Sequence, residues 1–351
     1  MGKSFLLVEN NLKQMNIASP FVSILVPIYG VEKYIERCAR SLFEQTYPNL
    51  EFVFVDDASL DKSVEILERV ITNYPKWEGR ITIIHHDKNR GLAAARNTLV
   101  DNCKGEFLYH VDSDDWIEPN AVELLVKRQM ETGADIVSGS FYMHRTNEIC
   151  VGYLNWSIPW KERNREETLK YVLEMGSVVA VWNRLIRSSI YREHNIRCVE
   201  GIDAGEDRQI TPMLVYFSRE VASCNAITYH YNRSNANSYV STFEHNWNLQ
   251  LQLIRACFLN VCFFKDKETS LSEAMDKQIV KRLEKILELT FKNHNRNGYN
   301  MVLAMLDGTN REHWSMIRWD RPRKRWLDHH YYVKRMLLFL SFLHGERQVV
   351  N

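Results

Sequence analysis

Asp112-Ser113-Asp114-Asp115 places three carboxylates within four residues, directly after the apolar run Phe107-Leu108-Tyr109-His110-Val111. Carboxylates so close repel one another, and such a cluster is tolerated when a cation or solvent offsets its charge. Alternate carboxylates can approach one hard divalent ion that holds phosphate oxygens on its other side. The competing reading is an acidic turn capping the helix that opens at Pro119. Asp56-Asp57 follows the apolar run 51–55. A carboxylate there can accept a hydrogen bond from a base N–H or a ribose hydroxyl, or else cap the next helix. Arg96 lies in Asn89-Arg90-Gly91-Leu92-Ala93-Ala94-Ala95-Arg96-Asn97, on a small-residue helix able to approach a sheet closely. A guanidinium there can meet a diphosphate bidentately, or form a surface salt bridge. In Gly205-Glu206-Asp207, Asp207 opens a helix. A carboxylate at a helix N-terminus stays ionised and can serve as a general base, with plain capping as the alternative. The chain has no G-x-G-x-x-G and no Walker loop, so a nucleotide would need metal and arginine, not a glycine cradle, to neutralise its phosphates.

The elements that must position these groups follow from periodicity. Apolar runs at 23–26, 51–55, 81–84, 107–111 and 135–138 read as strands. Helical spacing recurs in Val31, Tyr34, Ile35, Cys38 and Leu42, in Val64, Leu67, Ile71 and Tyr74, in 92–100, and from Pro119 through Val122, Leu125 and Met130. Ser59 or Asp61 is the expected N-cap of the second helix. Strand–helix alternation at this pitch implies a mostly parallel central sheet with right-handed crossovers and helices on both faces. Ligands bind such sheets at the C-terminal strand ends, where Tyr29-Gly30, Asp56-Asp57 and the acidic cluster all fall. From 151 to 239 the pattern loosens, with one expected strand at 226–231. From about 243 it turns helical.

The chain has 351 residues, 45 Lys+Arg and 44 Asp+Glu, for a net charge of +1, with 45% hydrophobic and 25% charged residues. This is the composition of a globular protein and not of a disordered or fibrous one. A near-zero charge argues against a whole-molecule nucleic-acid footprint, and no nucleic-acid partner is expected. The seven cysteines are scattered without a C-x-x-C pair, so reduced thiols and a cytoplasmic setting are expected. The apolar patch at 5–8 is too short for a signal-peptide core, and the stretch at 336–343 too short to span a membrane.

Taken in order, the segments VSILVPIYG (22–30), QTYPNLEFVFVDDASLD (45–61), NRGLAAARN (89–97), GEFLYHVDSDDWIEP (105–119), VWNRLIR (181–187) and GEDRQ (205–209) resemble inverting glycosyltransferase family 2 of the bacterial surface-polysaccharide type. The resemblance implies a GT-A nucleotide-sugar-binding domain at 21–241, between an N-terminal extension (1–20) and a helical C-terminal region (242–351). It implies that Pro27 and Tyr29 line the nucleobase pocket, with Asp57 on a uracil-type base. Arg96 would lie near the diphosphate, with Asp112 and Ser113 on the nucleotide and Trp182 bordering the sugar or acceptor. Asp114, with Asp112, would hold Mn2+ or Mg2+, His230 is a further candidate metal ligand, and Asp207 would be the catalytic base. The substrates would be a nucleotide-sugar donor and a glycan or lipid-linked acceptor. Gly30 departs from the family's usual Asn, and Arg184 stands where Lys is frequent. Rival readings are a sugar-1-phosphate nucleotidyltransferase, disfavoured because Val26-Pro27-Ile28-Tyr29-Gly30 is not a Gly-rich basic loop, and a non-catalytic nucleotide-sugar or glycan-binding protein.

Between 311 and 335 eight basic and three acidic residues interleave with Trp314, Trp319, Trp326, Tyr331 and Tyr332, followed by an apolar stretch to 343. Such a segment suits a helix lying on an anionic membrane surface, at the inner face of the plasma membrane, or a subdomain packed on the catalytic domain.

Overall fold

The computed structural model describes residues 19–145, 148–153, 164–175, 179–235 and 246–265, with Ser238, Lys267 and Ile279. The segment 311–343 and residues 1–18 lie outside the described residues.

β1 (Val22–Ile28) and β2 (Leu50–Asp56) are buried along their whole length. Continuous apolar runs of this kind arise when helices cover both faces of a strand. β1 pairs in parallel with β2 and with β4 (Phe107–His110), and β2 with β3 (Ile81–His85). The crossovers are α1 (Ile35–Phe43), α2 (Ser63–Ile71) and α3 (Leu92–Asp101). Alternate β1 side chains enter different cores. Leu25 packs with Val53, Val55, Ala93, Ala95 and Leu99, while Ile24 and Val26 pack with Ile35, Cys38 and Leu42. The alanines of α3 let that helix lie close on β1 and β2.

Beyond β4 the sheet becomes mixed. β8 (Arg184–Arg187) runs antiparallel to β4 and to β6 (Ile136–Arg145). β9 (Val221–Asn232) is parallel to β6 and antiparallel to the short β5 (Trp116–Ile117), and β7 (Glu148–Tyr153) forms a hairpin with β6. The strand order is β3-β2-β1-β4-β8-β6-β9-β5, with β7 on β6. The fifth expected strand therefore runs on to Arg145, and the one expected at 226–231 starts at Val221. β8 carries no apolar-run signal because it is four residues long with arginine at each end.

The remaining helices are α4 (Ala121–Thr132), α5 (Arg165–Met175), α6 (Ser188–Glu193), α7 (Glu206–Phe217) and α8 (Trp247–Lys265). α8 is the first helix of the region expected to turn helical. Its Leu251, Ile254, Cys257 and Phe264 share a buried cluster with α3 and α7. Gln252 Oε1 accepts the N–H groups of Asp203 and Ala204, each at 3.0 Å, and so fixes the entry to α7. The N-cap position of α2 is Lys62, not Ser59 or Asp61. Asp61, one residue upstream, does the capping: its Oδ1 accepts the Ser63 N–H at 3.1 Å. All seven cysteines are free thiols. Among the described residues no helix is long and apolar enough to cross a membrane.

Gly105 marks a close approach between β1 and the entry to β4. Its N–H donates to Ser23 Oγ at 2.8 Å, and a Cβ here would stand 2.6 Å from Ser23 N and 2.7 Å from Phe107 O. Those are backbone atoms of two paired strands, so neither can yield without opening the ladder. Gly105→Ala is expected to cost about 1–3 kcal/mol, the usual range for overpacking. Urea denaturation checks it, and an unchanged midpoint would contradict the packing described.

Candidate active site

The three polar segments lie beyond the C-terminal ends of the parallel strands β1, β2 and β4, as expected of this sheet type. Tyr29 projects past β1, 53% exposed, while Pro27 is buried within the strand.

The acidic loop resolves its own repulsion by giving each carboxylate a different partner. Asp115 is fully buried. It accepts the Tyr229 hydroxyl proton at 2.7 Å and the Asn232 N–H at 2.7 Å. Burial, with the charges of Asp114 and Asp112 adding, pushes its pKa well above the ordinary carboxylate value. Tyr229 Oη in turn accepts the Asp112 N–H at 3.1 Å, tying the loop to β9. Asp112 Oδ1 accepts from Arg96 Nη2 at 2.9 Å. Asp114 accepts from Asn235 Nδ2 at 2.8 Å. Even so, burial and then the charge of Asp112 raise the Asp114 pKa to about 6. Ser113 is buried between them.

Arg96 joins the two halves of the site. It is 2% exposed, with Nη2 on Asp112 and Nε on Glu206 Oε1 at 3.2 Å. It is a buried ion-pair centre and not a surface salt bridge. Glu206 is the first residue of α7 and Asp207 the second, so the acidic strand end and the start of α7 stand one guanidinium apart. Asp207 is partly exposed, and its Oδ1 accepts the Arg208 N–H at 2.6 Å. Burial, then the charge of Asp207, raises the pKa of Glu206, with Arg96 opposing. Arg184, fully buried, donates Nε to Ser138 Oγ at 3.1 Å. Burial lowers its pKa to about 9, with attraction to Asp207 working the other way.

Asp57, expected on a uracil-type base, lies at the turn into α3. It is 3% exposed and its oxygens have three polar partners. Oδ1 accepts the Arg90 N–H at 2.9 Å and meets His86 Nδ1 at 2.6 Å, and Oδ2 accepts the Gly91 N–H at 2.8 Å. Asp57 thus anchors the turn into α3. Asp203 accepts the Ala93 N–H at 2.9 Å from the other side. These two carboxylates satisfy N–H groups that a helix start leaves without partners. His230 also has both ring nitrogens engaged, with His144 Nε2 at 2.9 Å and Glu118 Oε1 at 2.8 Å, and its ring stacks on Trp116. Trp182 is stacked on Tyr229 with ring centroids 4.7 Å apart and is 9% exposed, at the edge of the aromatic cluster behind the acidic loop.

Among the described residues no three His, Cys, Asp or Glu side chains form a metal-binding group. Asp112 and Asp114 still fit a hard cation: they are two oxygen donors, and the pKa of Asp114 is raised first by burial and then by the neighbouring charge of Asp112. The remaining ligands would have to come from a bound phosphate or water.

Residue types alone did not reveal Glu206 as the partner of Arg96, nor Asp203, Asn232 and Asn235 as supports. The available signal is a second acid beside Asp207 and two asparagines, Asn232 closing β9 and Asn235 three residues on.

Residues 23–194 match the family described as Glycosyl transferase family 2. The chain is 33% identical over 217 residues to Glycosyltransferase GlyA of Streptococcus pneumoniae serotype 4, covering 60% of this chain and 30% of that protein. It is 31% identical over 229 residues to EpsH of Bacillus subtilis, covering 64% of each. The chain therefore spans less than two thirds of the length of these relatives. The structure of S. aureus TarS 1–349 in complex with UDP-GlcNAc superposes with a TM-score of 0.54 at 17% identity, covering 83% of this chain and 93% of that one. The likeness confirms the GT-A arrangement of a mostly parallel sheet between helices.

The raised pKa of Asp114 has a stability consequence. The folded chain holds the Asp114 proton more tightly than the unfolded chain does. Stability from this group is therefore greatest at low pH and falls as pH rises through about 6. With divalent ions chelated, Asp114→Asn is expected to be more stable than wild type at pH 7.5, by up to about 3 kcal/mol. The advantage should close toward pH 4. Thermal unfolding across this range checks it, and a wild type more stable at pH 7.5 would contradict the described environment.

Proposed function

From a chain that belongs to glycosyl transferase family 2 through residues 23–194, we propose sugar transfer from a nucleoside diphosphate sugar, UDP-linked, to a hydroxyl of a glycan or lipid-linked acceptor by one inverting displacement. The observation that carries this reading is Arg96, whose guanidinium draws Asp112 and the Glu206-Asp207 helix start together. An acidic diphosphate site and a basic carboxylate are what a single displacement needs on opposite sides of an anomeric carbon.

In this reading Asp207 takes the proton from the acceptor hydroxyl, and that oxygen attacks the anomeric carbon, so an α-linked donor gives a β-linkage. Asp112 and Asp114 would hold Mn2+ or Mg2+, which would supply positive charge to the departing diphosphate. Arg96 adds a fixed positive charge beside Asp112, in a buried setting where it counts most. Tyr29 borders the nucleobase, over the turn that Asp57 holds. Ser113 supports the nucleotide, and Trp182 backs the sugar or acceptor pocket. The engaged ring of His230 makes it a support of the acidic loop's flank in preference to a metal ligand. The setting we assign is surface-polysaccharide synthesis, with residues 311–343 bringing the enzyme to a cytoplasmic membrane face where a lipid-linked acceptor resides.

Asp114→Asn is expected to abolish transfer and to weaken UDP binding in Mn2+. Asp207→Asn should lose roughly 10²–10⁴-fold in rate, the usual size of general-base catalysis, with UDP affinity little changed. Calorimetry and product assays separate the two. Equal loss of donor affinity in Asp207→Asn would remove it as the base, and full activity in excess chelator would remove the metal. In competition binding, a uridine nucleotide should displace a donor more readily than a guanosine one, and the reverse order would overturn the UDP assignment.

A further inference from the structure

An arginine usually docks on a carboxylate with the edge formed by Nε and one Nη, giving two parallel N–H···O bonds to one group. In Arg96 that edge is split. Nε donates to Glu206 and Nη2 to Asp112, while Nη1 is buried with no acceptor among the described residues. Arg96 therefore touches only Oδ1 of Asp112. The Asp112 side chain stays 26% exposed, whereas those of Arg96 and Glu206 are 3% and 7% exposed. Glu206 on Nε keeps the Nε–Nη2 edge from closing on both oxygens of Asp112, and Nη1, which would complete the opposite edge, reaches neither oxygen.

We propose that Glu206 is a positioning residue for the donor half of the site: by holding Nε it fixes the Arg96 guanidinium in the orientation that gives Asp112 a single bond, and so keeps an Asp112 oxygen free for the cation and the diphosphate. The inference rests on the donor-site reading above. It gives the first turn of α7 two tasks one residue apart, with Asp207 on the acceptor and Glu206 on the donor. Without Glu206, the buried guanidinium has one carboxylate left, and both oxygens of that carboxylate would turn to it.

The test is calorimetric titration of the full-length chain with UDP in the presence of Mn2+. Glu206→Ala should weaken UDP binding by about tenfold or more, the scale of one charge-assisted hydrogen bond. Glu206→Gln keeps an acceptor oxygen at Nε and should recover to within about threefold of wild type. In an Arg96→Met background, Glu206→Ala should change affinity by less than about twofold, because no fork remains to close. Should Glu206→Ala fail to fold, Glu206→Asp, one methylene short of Nε, gives the same comparison. Wild-type affinity in Glu206→Ala, no recovery in Glu206→Gln, or an undiminished loss in the Arg96→Met background would each overturn the proposal. A wild type that binds UDP identically with and without Mn2+ would instead overturn the donor-site reading beneath it.

Discussion

A guanidinium buried to 2% exposure is the constraint around which this site is built. Burying an isolated cation is costly, and breaking a buried ion pair by removing one partner typically costs about 3–5 kcal/mol. Burial works against the charge of Arg96, but Asp112 and Glu206 outweigh it and hold its pKa above the ordinary arginine value. The arginine thus compels the loop after β4 and the start of α7 to converge. Its helix is free to sit against the sheet because Ala93, Ala94 and Ala95 take little space. α8 fixes the loop entering α7 through Gln252, so the far helix contributes to the same convergence.

The acidic loop shows how a fold can retain charge it does not neutralise. Asp115 spends its oxygens on Tyr229 and Asn232, Asp112 spends one on Arg96, and Asp114 is left with the amide of Asn235. Asp115 is structural, Asp112 stays 26% exposed, and burial raises the pKa of both Asp114 and Asp115. Functional sites commonly hold strain or charge of this kind, which a ligand relieves when it binds.

Much of this arrangement is legible in the sequence. The apolar runs of β1 to β4 marked the parallel half of the sheet, and the polar residues just past them marked the ligand side, because strand direction fixes which end faces the crevice. The antiparallel half was less legible. β8 hides behind arginines, and the pairing of β5 with β9 joins segments with no shared local signal. Within the site, residue types showed that acids and an arginine were present but not which carboxylate would find which partner. Asn235 reaches Asp114 from 121 residues away, and Glu206 reaches Arg96 from 110. Asp57 illustrates the same limit. A carboxylate at a strand end can face a ligand or hold the next turn, and its residue type does not show that the backbone N–H groups of Arg90 and Gly91 would reach it.

The most direct test of the central claim is the anomalous-scattering map of crystals grown with UDP and Mn2+. A metal peak within coordination distance of Asp112 and Asp114, with the diphosphate between them and the start of α7 and with Arg96 still bridging Asp112 and Glu206, is the expected result. A metal or diphosphate bound away from Asp112 and Asp114, or an Arg96 turned out of the bridge, would contradict a single site organised by that buried guanidinium.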